Sequence, residues 1–271
     1  MIRPMVILAG AIALCPLAAQ AFAQTRQAQP ANLQKMKSMR QDKPPRSRAD
    51  LFSKVRSHAG LLTSQFGLIE KRRRVAANDL VAWISASYQP GKPLAIIVVC
   101  TGNSRRSMLG STMGNIAAAY YGMPDIRFYS GGTKPSAFNA RTVATLKEIG
   151  VEVDPTGKEA PSGSAGEANP IYRVQWGKGL ETLEFSKLYS DAQNPQSGFA
   201  AIMVCSQADT ECPIVKGAVK RISAPYQDPK EYDGAAVEAT KYAERRDDMG
   251  RFMLNVLMRV RRQLKVDNKL K

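Results

Sequence analysis

The sequence predicts an α/β chain: a doubly wound parallel sheet of about four strands, with a helical extension before it and an insertion within it. Three observations predict it. Short β-branched runs recur (Leu94–Val99, Ile126–Tyr129, Ala200–Val204, Val219–Ser223), and helical patterns separate the first pairs. The run Leu94-Ala95-Ile96-Ile97-Val98-Val99 has no polar alternation, as expected of a strand buried on both faces. A hydrophobic content of 44% over 271 residues is enough for one core of good size.

The elements follow in order. Residues 1–23 read as a secretory signal. Arg3 supplies the positive start, Met5 to Leu14 the apolar stretch, and Ala21-Phe22-Ala23 a small-residue cleavage motif. The stretch is short for a membrane span. An uncleaved anchor is the alternative; a lipid-anchored Cys15 fits poorly, because Leu14 precedes it. The expectation is a periplasmic or secreted chain with no stable membrane anchor once the signal is cut near Ala23. Residues 24–46, rich in Gln, Pro, Lys and Arg, read as a flexible linker. Residues 47–90 carry Leu51, Val55, Leu62, Leu68, Leu80, Trp83 and Ile84 among charges, the pattern of two or three amphipathic helices. The run Lys71-Arg72-Arg73-Arg74 reads as a solvated helix face.

Residues 91–271 form the expected main domain. After the first strand and Cys100–Ser107, a helix rich in small residues runs to about Tyr121. A second strand ends at Ser130-Gly131-Gly132. Asn139 to Ile149 reads as a helix stopped by Gly150, and Val151 to Val153 as a short strand. Residues 157–198, with Tyr172, Trp176, Phe185 and Tyr189 scattered among Gly, Ser, Pro and Asn, read as an insertion, partly hairpin. It is either a lid over the site, with Lys178 available to an anion, or a packing elaboration. The last helix runs from about Ala235 to Leu264 with an apolar stripe through Met249, Phe252, Met253, Val256, Leu257 and Val260.

Charge and rare residues narrow the chemistry. A formal charge of +16 favours acidic partners, although a merely solvated cationic surface explains it equally well. No zinc-finger spacing and no basic-aromatic interleaving appear, so nucleic acid is not expected. His58 is the only histidine and lies in the helical extension. That disfavours a Ser-His-Asp triad, a histidine zinc site and a Cys-His dyad. No metal or organic cofactor is expected. Of four cysteines, Cys15 belongs to the signal, leaving Cys100, Cys205 and Cys212, an odd number for an exported chain.

Cys100-Thr101-Gly102-Asn103-Ser104-Arg105-Arg106-Ser107 lies between a buried strand and a helix, at the carboxyl edge where parallel sheets bind ligands. Backbone N–H groups of such a loop can cradle the oxygens of a tetrahedral anion. Gly102 allows a tight path, and Asn103 tolerates left-handed dihedrals. Arg106 can grip the oxyanion bidentately. The helix N-terminus and Arg106 favour the thiolate of Cys100, the nucleophile, and the Ser107 hydroxyl can donate to it. Thr101, Ser104 and Arg105 complete the oxyanion-binding set, Arg105 adding charge at the mouth. An inert buried cysteine at a strand end is the alternative.

Val98–Ser107 resembles the phosphate-binding loop of low-molecular-weight protein tyrosine phosphatases. It resembles still more that of thioredoxin-coupled arsenate reductases, which share that fold. The resemblance continues through Tyr129–Pro135, Asn139-Ala140-Arg141, Val204-Cys205-Ser206, Cys212-Pro213 and Asp228-Pro229. It covers roughly residues 94–264, interrupted by the insertion. It implies that Asp228 is the general acid; without it, an ordinary Asp-Pro turn is the simpler reading. It also implies a relay in which Cys205 attacks the adduct on Cys100 and Cys212 takes over the disulfide for a thioredoxin-like reductant. Phosphatases of this fold need only the first cysteine, and usually carry tyrosine after Asp-Pro, where Lys230 stands here. Arg105 departs from the reductases, which often have a further cysteine there. A static Cys205–Cys212 disulfide is the alternative for an oxidising compartment.

Three functions follow: reduction of arsenate, hydrolysis of phosphotyrosine or a small phosphoester, or noncatalytic binding of an anion. The intact set of Cys100, Arg106, Ser107 and Asp228 disfavours the last. The cysteine pair favours the first.

Overall fold

A computed structural model describes residues 48–123, 125–211 and 214–270. The expected signal and linker, including Cys15, and also Cys212, lie outside the described residues. Two helices come first, α1 (Ser53–Thr63) and α2 (Arg74–Ser87), then β1 (Leu94–Cys100), α3 (Arg106–Tyr120), β2 (Ile126–Gly132) and α4 (Ala140–Glu148). Strands β3 (Glu152–Glu159), β4 (Pro170–Gly177) and β5 (Leu180–Glu184) follow, then β6 (Phe199–Met203), the short α5 (Ser206–Glu211), β7 (Ala218–Ser223) and the long α6 (Glu238–Val266).

The main sheet has the order β2-β1-β6-β7 and is parallel throughout. Every residue of β6, and β1 from Ile96 to Cys100, is buried, so both faces of the central strands are covered, as the unbroken apolar run requires. Helix α3 is buried from Ser107 to Tyr120 because it lies against β1 and β2 while α6 packs on it. Small residues make that approach possible. A Cβ on Gly114 would come within 2.5 Å of the Phe128 ring. Helix α6 also packs against α1, α2 and α4, so the extension joins the main core.

The segment after α4 differs from its sequence pattern. Val151–Val153 reads as a short strand in series with the others, but β3 lies outside the main sheet. It pairs antiparallel with β4, and β4 with β5, in a separate three-stranded sheet. Trp176 and Phe185 are buried there, and Tyr172 meets Phe138 edge-to-face at 5.5 Å. These aromatics serve packing. Lys178 uses its backbone N–H to reach the Asp50 carbonyl at 2.6 Å, close to a bridge between Leu51 and Gly177.

The basic run at 71–74 is also corrected in part. Lys71, Arg72 and Arg74 are exposed, whereas Arg73 is only 3% exposed. The phase of α2 explains it. Arg73, Ala76, Ala77, Leu80 and Ile84 fall at the spacings of one helix face, and that face is buried. His58 is part-buried on α1 and pairs with Asp247 of α6 at 2.8 Å. Burial alone would raise the Asp247 carboxyl, but hydrogen bonds and charge from His58 and Arg246 outweigh it and hold the group below its ordinary value.

Candidate active site

Cys100 closes β1, and α3 begins at Arg106, so the intervening loop spans the gap between a strand end and a helix N-terminus. Four carbonyls of this loop, those of Cys100, Thr101, Gly102 and Ser104, are turned to one neighbour, the segment 133–139. Thr133 N–H donates to the Cys100 and Thr101 carbonyls, Lys134 N–H to Thr101, Ser136 N–H to Gly102 and Asn139 N–H to Ser104. In a trans peptide the N–H points opposite the carbonyl. Anchoring the carbonyls outward to 133–139 therefore turns the loop's N–H groups inward, the arrangement that suits an anion.

Asn103 adopts φ +42, the left-handed conformation its residue type tolerates. Gly102 has no such dihedral; space explains it, since a Cβ there would meet Ser136 Oγ at 3.2 Å. Ser104 donates its hydroxyl to the Ala137 carbonyl at 2.5 Å. Across the loop, a Cβ on Gly132 would lie 2.6 Å from the Thr101 carbonyl oxygen.

One chain of hydrogen bonds ends at the sulfur. Lys187 N–H donates to Asn103 Oδ1 at 2.8 Å, which fixes the orientation of the Asn103 amide. Asn103 Nδ2 then donates to Ser107 Oγ at 2.8 Å. With that oxygen accepting, the Ser107 proton is free to reach Cys100 Sγ, 3.1 Å away. Every donor of this chain can thus be turned toward the sulfur.

Sequence reasoning missed the start of this chain. Lys187 and Glu184 are each 3% exposed. Lys187 Nζ donates to Glu184 Oε2 at 3.1 Å, and Ser130 Oγ donates to the same oxygen at 2.9 Å. Ser186 Oγ donates to the Gly102 carbonyl at 2.8 Å, and Gly132 N–H to the Lys187 carbonyl. The end of the insertion thus lies along β2 and grips the loop. A Glu–x–x–Lys pair in an apolar setting was the available signal. Beside the loop, Thr133–Pro135 and Phe185–Leu188 line part of a cavity of about 450 Å³.

Arg106 is 12% exposed and meets Asp228, 26% exposed, at the other side of the site. One terminal nitrogen donates to Asp228 Oδ2 at 2.6 Å and the other to the Tyr226 carbonyl at 3.0 Å. Its buried Nε has no protein partner. Asp228 also accepts from Lys230 N–H at 3.1 Å, so the Asp-Pro segment is a capped turn as well as a neighbour of Arg106. Arg105 is engaged by α6 and the segment before it: Nε donates to the Tyr242 hydroxyl at 2.7 Å, and a terminal nitrogen reaches Asp233 at 3.2 Å. Burial pushes the Tyr242 phenol up to about 12 against the opposing influence of Arg105.

Cys205 follows β6, whose residue Met203 pairs with Val99. Its sulfur is buried and free, 3.4 Å from Thr101 Oγ1, and accepts the Ala208 N–H at 3.3 Å. Cys100 is likewise a free thiol. Three contacts join expected groups: Cys100 with Ser107, Thr101 with Cys205, and Arg106 with Asp228. Among the described residues, no group of three or more His, Cys, Asp or Glu is placed to hold a metal ion.

No family model matches the chain. No curated protein matches it either. Solved structures do. An arsenate reductase in the phosphate-binding state is 16% identical, with a TM-score of 0.38 over 62% of this chain and 98% of its own. A mutant of the YwlE arginine phosphatase with a phosphorylated active-site serine is 17% identical, with a TM-score of 0.40 over 66% of this chain and 100% of its own. A low-molecular-weight protein tyrosine phosphatase from Bacillus subtilis is 17% identical, with a TM-score of 0.36 over 65% of this chain and 99% of its own. The chain is an α/β protein similar to these structures.

Proposed function

We propose that the chain is an exported enzyme that uses Cys100 as a nucleophile on a tetrahedral oxyanion and reduces arsenate to arsenite through Cys100, Cys205 and Cys212. The observation that carries the oxyanion reading is the Cys100–Ser107 loop itself. Four of its carbonyls are turned outward, the Ser107 hydroxyl lies within reach of the sulfur, and Arg106 Nε is a buried donor without a protein partner. An oxyanion in the loop would supply that partner.

The chemistry balances as follows. The Cys100 thiolate attacks arsenic, forming an S–As bond as one oxygen leaves as water with a proton from Asp228. The Cys205 thiolate then attacks Cys100 sulfur. An S–S bond forms, the S–As bond breaks with its electron pair left on arsenic, and arsenite departs. The Cys212 thiolate attacks Cys205 sulfur, forms the Cys205–Cys212 disulfide and releases the Cys100 thiolate. A thioredoxin-like dithiol reduces that disulfide. The contact of Cys205 with Thr101 and its free thiol support the second step.

A second reading is phosphomonoester hydrolysis with Cys100 and Asp228, favoured by the placement of Asp228 on Arg106. The Arg106 side chain holds the carboxylate beside the loop, where an acid to the leaving oxygen would stand.

The test is p-nitrophenyl phosphate hydrolysis beside dithiol-dependent arsenate reduction, in the wild type and Cys212→Ala. The relay predicts arsenate turnover that collapses in the variant, with little hydrolysis. Strong hydrolysis that ignores the variant makes the chain a phosphatase. Export is checked separately by fractionating cells that express the full chain.

A further inference from the structure

We infer that Arg73, from the helical extension, is a positioning residue that holds the segment carrying Tyr226 and Asp228 in register with Arg106. The inference rests on the reading of Arg106 and Asp228 as working groups of the site.

Residues 224–228 have no helix or strand of their own. Backbone bonds tie Ala224 to Met203 and Tyr226 N–H to the Val204 carbonyl. Beyond those, side chains place the segment. The Arg73 guanidinium carbon lies 3.9 Å from the centroid of the Tyr226 ring, and a terminal nitrogen donates to the Pro225 carbonyl at 3.3 Å. The same Tyr226 offers its carbonyl to Arg106, whose other terminal nitrogen holds Asp228. Tyr226 is therefore gripped on its ring by Arg73 and on its backbone by Arg106.

Arg73 is well suited to the task. It is nearly fully buried, and Glu70 fixes it from the other side at 2.7 Å. A planar guanidinium can stack on a ring and donate to a carbonyl at once, which an ammonium cannot do with equal geometry. Arg245 also approaches the ring, at 5.7 Å, but it is paired with Asp248 and stands farther off. The Tyr226 hydroxyl is buried without a partner, so the ring, the carbonyl and the N–H bond to Val204 tie this residue in place. The contact links the extension, which has no chemistry of its own, to the acid and the anion-gripping arginine.

The experiment compares Arg73→Lys and Arg73→Met with the exposed neighbour Arg74→Met in the full chain, after circular dichroism confirms folding. Three quantities are read: kcat and KM with p-nitrophenyl and phenyl phosphate or arsenate, the Kd for inorganic phosphate, and hydrogen exchange across 224–228. Arg73→Lys is expected to lower kcat roughly ten- to hundredfold, as small misplacements of reacting groups do. The loss should be larger for phenyl than for p-nitrophenyl phosphate, because the poorer leaving group depends more on the acid. Exchange across 224–228 should quicken, and phosphate should bind more weakly. Arg74→Met should match the wild type. If Arg73→Met does not fold, Arg73→Lys, which keeps the charge beside Glu70, carries the decision. A folded Arg73→Lys with wild-type kcat, leaving-group dependence and exchange overturns the inference. If the wild type turns over none of these substrates, the functional reading fails by itself, and phosphate affinity and exchange still decide the role of Arg73.

Discussion

The stretch from Leu94 to Tyr120 and the stretch from Glu152 to Asn194 bear on the same loop, but they are written in the sequence in different ways. The first is local: an apolar run, a Cys-x5-Arg segment and a helix of small residues, each recognisable within its own window. The second works through single polar residues whose partners are distant. Glu184 reaches Ser130, Lys187 reaches Asn103, Ser186 reaches Gly102, and Asn194 donates to the Ser130 carbonyl at 3.0 Å. Nucleophile and anion cradle are thus built from one end of a strand, while the brace that keeps them in shape comes from the end of β5 and the segment that follows it.

Breaking the brace should show this most strongly. Lys187→Met removes the ammonium from beside the buried Glu184 carboxylate and should cost about 3–5 kcal/mol of stability. Lys158→Met on exposed β3 should stay within about 0.5 kcal/mol. Urea denaturation of both variants checks this, and equal midpoints would remove the distinction between brace and surface. The Lys187 variant should also lose phosphate affinity, because loss of the Glu184 pair loosens the segment whose backbone N–H at position 187 orients Asn103.

A smaller effect is read from the dependence of stability on pH. Burial first, with nearby negative charge or a neighbouring phenol helping, raises the phenols of Tyr88 and Tyr121 to about 12, as it does Tyr242. Below the ordinary value of 10.0 these groups are neutral whether the chain is folded or not. Above it the unfolded chain loses protons that the folded chain keeps, so stability falls as pH rises toward 12. Asp247 has the opposite sign. Its contribution is present above its ordinary value of 3.8 and is lost as pH falls through the lowered folded value. Thermal melts across both ranges, with Tyr88→Phe and Asp247→Asn, should flatten the corresponding limb.

How far the sequence is legible follows from the same contrast. The four main strands and the helices after β1 and β2 appear where the periodicity places them, most clearly β1 and β6, where burial on both faces leaves an apolar run; the short helix after β6 does not show in the polar segment 206–211. Asn103 and Ser107 could be assigned because their roles are fulfilled within seven residues of Cys100. The β3–β4–β5 sheet could not, because its strands mix exposed charge with buried aromatics, and Pro155 and Gly157 interrupt β3. Arg73 is the sharper lesson. Read as part of a basic run it is a surface residue; read in phase with Ala76, Leu80 and Ile84 it belongs to the buried face. Charge density alone hides the one arginine of that run that faces inward.

The most direct measurement is Cys100→Ser, assayed for turnover of p-nitrophenyl phosphate and arsenate and, by calorimetry, for binding of inorganic phosphate. The loop and Arg106 remain in this variant, while a hydroxyl replaces the nucleophilic sulfur. Turnover should vanish and phosphate affinity should stay within about tenfold of the wild type, because the anion is held by backbone N–H groups and the guanidinium. Undiminished turnover would contradict the account, placing the chemistry on a residue other than Cys100.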